Sequence, residues 1–152
     1  MLRRLIAVMT TAAAGTAVLL TGGSTASAAA AHPATCSGTV QVRGLAFDPN
    51  EAPPGGSSDV TLKLRNCTGL SQTVSETWYG RFSSATAPGI PAGCPVYDPI
   101  LIQATLPPHA RLSRTAPYGS FPGCTADRLT VTVTVSQGAT TLGTANADLT
   151  FA

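Results

Sequence analysis

Residues 128–136, RLTVTVTVS, alternate apolar and hydroxyl-bearing side chains without a break. In an extended chain Leu129, Val131, Val133 and Val135 face one way and Thr130, Thr132 and Thr134 the other, because successive side chains on a strand point to opposite sides. The same residues wound into a helix would scatter the valines around it. The stretch therefore predicts a strand with one buried face, and such a face has to be covered by a second layer. β-branched residues at almost every position suit this pleated, half-buried surface.

Six further segments carry the same signature. Residues 39–47 alternate until Gly44, which predicts a bulge. Residues 48–58 hold Pro53-Pro54-Gly55-Gly56 and predict a turn. In 59–66, Val60, Leu62 and Leu64 oppose Thr61, Lys63 and Arg65. Residues 72–82 place Val74, Trp78 and Phe82 inward; Glu76 falls on that same face, which predicts that the strand lies near a rim or bulges there. The fourth strand is 99–106, stopped by Pro107-Pro108, and the fifth is 110–116. After the sixth, 128–136, a tight turn at Gln137-Gly138 leads to 141–151, with Ala145, Ala147, Leu149 and Phe151 inward. No segment keeps a helical period. Seven short strands joined by turns, with a tryptophan on the third, predict an immunoglobulin-like β-sandwich. A jelly roll or an open barrel is the alternative.

The first 28 residues read as a secretory signal rather than as part of this fold. Arg3 and Arg4 form a positive start, residues 5–20 an Ala-rich apolar run, and Ala26-Ser27-Ala28 a small-x-small cleavage pattern. The run falls short of the roughly 20 residues that span a bilayer, and no cysteine follows it to carry a lipid. Cleavage after Ala28 leaves a flexible arm, 29–35, and one domain, 36–152, released outside the cell. The formal charge of the whole sequence is +2; without Arg3 and Arg4 it is zero. A neutral chain with one lysine, Lys63, shows no electrostatic footprint for nucleic acid or an anionic membrane. Both methionines leave with the leader, which excludes a Met-rich copper site.

Four cysteines in an exported chain predict two disulfides. If successive strands run up and down, Cys36 and Cys67 lie at one end of the sandwich, and Cys94 and Cys124 at the other. Crossed pairings would have to span a strand, roughly 17–20 Å, whereas a disulfide holds its Cα atoms within about 7 Å. The pairs are therefore Cys36–Cys67 and Cys94–Cys124, each contributing about 3–4 kcal/mol in the chain-entropy view. No CxxC motif or neighbouring histidine favours a metal or redox site instead.

Catalysis finds little to work with. His32 falls in the arm and His109 in a Pro-Pro turn; there is no nucleophile elbow, HExxH or phosphate-binding glycine loop. The acidic residues are scattered, and Asp48-Pro49-Asn50-Glu51 reads as a turn more readily than as a calcium loop. The expectation is a non-enzyme with no cofactor and no metal. Up-down strand order also gathers the loops 48–58, 83–95 and 117–124 at one end. Tyr79, Arg81, Phe82, Tyr97, Tyr118 and Phe121 stand in or beside them as candidate binding residues, since aromatics on pinned loops give contact area at little entropic cost. The plainer reading is that these rings cap the open end of the sandwich.

Pro54-Gly55-Gly56 leading into VTLKLRNCTG resembles the start of CARDB-type immunoglobulin-like modules. Continued through GCPVYDP and TVTVTVSQG, the pattern resembles small secreted actinobacterial proteins of unknown function. The CARDB resemblance implies adhesion or surface recognition, with an extracellular protein or cell-wall partner. Cys94-Pro95-Val96-Tyr97-Asp98-Pro99, followed later by Cys124, is locally similar to the reactive-site region of secreted subtilisin inhibitors. That similarity implies an inhibitor loop at Pro95, Val96 and Tyr97 and a secreted serine protease as the alternative partner. The family's specificity residue between the Cys-Pro and the Val-Tyr is missing here, the chain after Cys124 is longer, and the first disulfide encloses a different region.

Overall fold

The computed structural model describes residues 35–152 apart from Ala87; the leader and nearly all of the arm lie outside the described residues. Eight strands follow in order: β1 (Val40–Asp48), β2 (Glu51–Ala52), β3 (Ser57–Asn66), β4 (Gln72–Ser83), β5 (Tyr97–Leu106), β6 (Arg111–Gly119), β7 (Arg128–Gln137) and β8 (Thr140–Phe151). They form two sheets, β1-β3-β6 and β2-β8-β7-β4-β5. The first, second and fifth long strands of the chain thus share one layer, and the tryptophan-bearing β4 pairs with β7 and β5 in the other. This is the immunoglobulin-like arrangement, all-β, with two disulfides.

The alternating segments supply the core as expected. Leu129, Val131, Val133 and Val135 on β7 have no exposed surface, and Val60, Leu62, Leu64, Val74 and Trp78 have almost none. Gly44 does sit at a register shift between β1 and β3. Cys36–Cys67 and Cys94–Cys124 form as the strand order required, with Cα–Cα separations of 5.5 and 4.3 Å.

Three expectations need correcting. The strand count is eight, because part of the 48–58 turn is structured: Glu51 and Ala52 run parallel to Thr150 and Phe151 on β8, anchored by Thr150 N–H to Asn50 O at 3.1 Å and Ala152 N–H to Ala52 O at 3.2 Å. Two strands are longer than their prolines suggested. β5 begins at Tyr97 and passes through Pro99, and β6 continues through Pro117 to Gly119. Both are edge strands, where a missing N–H can face solvent without breaking a ladder. Finally, Glu76 is not at a rim, although β4 does shift register against β5 between Trp78 and Gly80, the bulge expected as the alternative. Glu76 has no exposed surface, and its charge is met from the opposite sheet by Arg114 on β6, whose Nε lies 2.8 Å from Oε2. The Trp78 indole N–H donates to the same oxygen at 3.0 Å.

A candidate recognition end

β1, β4, β6 and β8 finish, and β3, β5 and β7 begin, at the end of the sandwich closed by Cys94–Cys124. The loops there are cross-tied. Asp127 accepts the Ala85 N–H at 2.6 Å, and its own N–H donates to Ser83 O at 3.2 Å, which fixes the base of the segment after β4. Thr125 N–H donates to Ala92 O at 3.0 Å beside the disulfide. Gly93, at φ +70°, leaves no room for a Cβ against the Gly123 carbonyl oxygen, so the two arms of the disulfide pack backbone to backbone. On the other side Gly55 N–H donates to Ser120 Oγ at 3.0 Å, and Ser120 N–H to Gly56 O at 2.9 Å.

Tyr97 is the hub. Its hydroxyl donates to Gly119 O at 2.7 Å and accepts the Gly119 N–H at 3.0 Å, clasping the start of β5 to the end of β6. Its ring stacks on Phe82 at 5.9 Å and tilts against Tyr118 at 4.9 Å, while Phe82 meets Phe151 at 6.2 Å. Offset and tilted pairs at these distances are favourable beyond their buried area. Tyr118 is buried, and burial, followed by its neighbour Tyr97, raises its phenol above the usual tyrosine range.

The sequence-predicted site residues therefore divide. Tyr97, Tyr118 and Phe82 come together as a plug over the core, and of the three Tyr97 and Phe82 also line the cleft beside it. Tyr79 and Arg81 alternate with Trp78 and so lie on the other face of β4. There, with Ile90, Pro95 and Val96, they line an open cleft of about 560 Å³. Phe121 is 62% exposed and is not part of that lining. Ile90, 96% exposed, was missed in the sequence, because an isolated Ile between Gly89 and Pro91 offers no period to assign it a side. Arg81 is the one charged group among the residues lining the cleft, and no carboxylate or histidine joins it. The lining offers apolar contact, one guanidinium and two phenols, those of Tyr79 and Tyr97, the second tied to Gly119, with no base positioned for proton transfer. Among the described residues no three His, Cys, Asp or Glu converge to hold a metal, and no helix is long and apolar enough to cross a membrane. Asp48 and Glu51 lie in strands β1 and β2 rather than in an ion-binding loop.

No protein-family model matches the sequence, and no curated protein matches it. Among solved structures, it is similar to a Pseudomonas fluorescens alkylpurine DNA glycosylase bound to DNA containing an abasic site analogue. The identity is 16% and the TM-score 0.50, over 74% of this chain and 30% of the glycosylase. The chain thus spans less than a third of that enzyme, and a likeness at this identity is one of fold. A Pyrococcus furiosus CARDB domain in complex with di-metal ions aligns at 13% identity and TM-score 0.49, over 77% of this chain and 97% of the domain. A PapD-like domain of human CEP192 aligns at 16% and 0.41, over 75% and 87%. The immunoglobulin-like assignment rests on the strand order itself.

Proposed function

We propose that this chain is a secreted, non-enzymatic β-sandwich module that recognises a cell-surface or extracellular partner through its Cys94–Cys124 end. The observation that carries the reading is the cleft beside β4. Ile90 and Val96, 96% and 86% exposed, stand on a loop held by a disulfide and by Asp127. Large apolar side chains kept in water on a rigid support are a poor use of a core and a good use of an interface. Two disulfides and no free cysteine among the described residues suit an oxidising compartment. Retention on insoluble cell wall, chitin and cellulose tests the proposal. The wild-type chain should be retained on at least one and an Ile90→Asp/Val96→Asp variant released, with both melting alike. No retention on any matrix, or equal retention of the variant, removes the support.

Inhibition of a secreted serine protease draws on the exposure of Val96 two residues after Cys94. It has less support, because Tyr97 is drawn inward by its clasp on Gly119, leaving Val96 as the exposed side chain of the 95–97 segment. Titration against subtilisin and trypsin decides the matter: stoichiometric inhibition lost on reduction favours it, and none at micromolar protein eliminates it.

A further inference from the structure

The zero formal charge of the mature chain conceals a sorting of charges along the sandwich. On the outer face of the β1-β3-β6 sheet, Arg43, Lys63, Arg65 and Arg111 line one cleft of about 320 Å³ toward the Cys36–Cys67 end, and no acidic residue lines it with them. Register makes the crowding acute. Arg65 and Arg111 are direct partners across the β3–β6 ladder, and Lys63 is two residues along on the same face. Like charges placed opposite one another weaken a sheet. Among the described residues no acid relieves them: the ion pairs there are Arg114–Glu76 and Arg128–Asp148. The nearest help is a neutral one, Gln41, which accepts from Arg43 at 3.1 Å. The acids of the same sheet, Asp48 and Asp59, face each other at its far end.

We propose that this face is a second binding surface, for a base-free polymer whose charged groups are phosphates. The cations come from three neighbouring strands, about 4.8 Å apart, so they present a strip rather than one point. A planar carboxylate is satisfied by a single guanidinium fork. A tetrahedral phosphate takes charge-assisted bonds from several directions, and forks converging from two strands match it. Nucleic acid fits less well: the outward positions of β1, β3 and β6 include Gln41, Thr61, Ser113 and Thr115 but no aromatic ring on which a base could stack. A bilayer fits less well too, since none of the exposed large apolar side chains belongs to these strands. The Cys36–Cys67 bridge, two residues past Arg65, holds the end of the strip rigid.

Titration calorimetry with linear inorganic polyphosphate across a salt series is the test. Binding should weaken with salt on a log–log slope of about −3, as four neutralised phosphates require. Lys63→Gln should lower the magnitude of that slope by about 0.7 and Arg65→Gln/Arg111→Gln by about 1.5. The double variant should melt no lower than wild type, because a repulsive pair is gone; loss of binding through unfolding is thereby distinguished. The Ile90→Asp/Val96→Asp variant should bind polyphosphate normally, which separates this surface from the recognition end. The proposal is overturned by absence of binding at low salt, or by an unchanged slope in the double variant. Equal or tighter binding of oligothymidylate, polyglutamate, heparin or phosphatidylglycerol vesicles overturns it as well.

Discussion

Glu76 is the residue whose burial most needs explaining. A carboxylate between two sheets is tolerable only when it is paired. It receives one hydrogen bond, from Trp78, and one ion pair, from Arg114. The satisfaction is incomplete: Oε1 has no partner, and the Arg114 Nε–H, though 2.8 Å from Oε2, is not aligned on it. Arg114→Met should therefore destabilise the fold by about 3 kcal/mol, the cost of stranding a buried charge, read as a lower denaturation midpoint. Adding Glu76→Gln should recover part of this, since a neutral amide still accepts from the indole. No recovery would count against the ion pair as the cause. Alternation in 72–82 does place Glu76 on the inner face, but its partner lies 38 residues on, in the other sheet, and no local pattern connects the two. Tyr118 gives a pH signature. Its phenol is raised in the folded protein, so above about pH 10 the unfolded chain releases that proton first. The contribution to stability is complete below about pH 10 and declines as pH climbs through the folded value. Tyr118→Phe should flatten the alkaline limb of the stability–pH curve. A limb of unchanged steepness would mean that other groups govern it.

At the Cys94–Cys124 end, side chains join strands that share no ladder. The Tyr97 hydroxyl ties β5 to β6, which share no ladder, and it satisfies both the N–H and the C=O of Gly119. Tyr97→Phe should cost about 1–3 kcal/mol, the range for leaving buried polar groups unmet. Hydrogen exchange should quicken at Gly119 while β7 amides keep their protection; uniform quickening would show the clasp to be global instead. Why β5 and β6 outran the sequence reading is also a matter of elements. Pro99 and Pro117 look like stops in a linear sequence, and only the sheet order reveals that each sits on an edge, where the missing donor harms nothing. The Glu51–Ala52 strand was invisible for a related reason: two residues carry no period, and their pairing partners come from the last strand of the chain. β3 and β7, by contrast, could be read directly, because each buries one face along most of its length, and β8 alternates exposed with partly buried positions until Leu149 and Phe151 enter the core.

At the scale of the whole molecule, a summed charge says nothing of how topology distributes the charges. A charge of zero without Arg3 and Arg4 led to no expected footprint for nucleic acid or an anionic membrane, and it leaves unseen that strand pairing gathers Arg43 of β1, Lys63 and Arg65 of β3 and Arg111 of β6 at one cleft. Asp48 and Asp59 are brought together at the opposite end. A body charged in this way should attract copies of itself head to tail at low ionic strength. Static light scattering should give a negative second virial coefficient that rises as salt shortens the Debye length to about 8 Å near 0.15 M. The Arg65→Gln/Arg111→Gln variant should respond more weakly, and an identical response would place the attraction elsewhere.

The two disulfides also decide what a stretching force can reach. Cys36–Cys67 encloses β1, β2 and β3, and Cys94–Cys124 encloses β5 and β6. Tension applied to the two ends of the oxidised domain crosses each bridge and bypasses those loops. The three-stranded sheet, with its basic strip, lies wholly off the covalent load path. Only β4, β7 and β8 can be drawn out, so roughly half of the described chain adds to the extension at about 3.3–3.6 Å per residue. On reduction, the sheltered strands join the path.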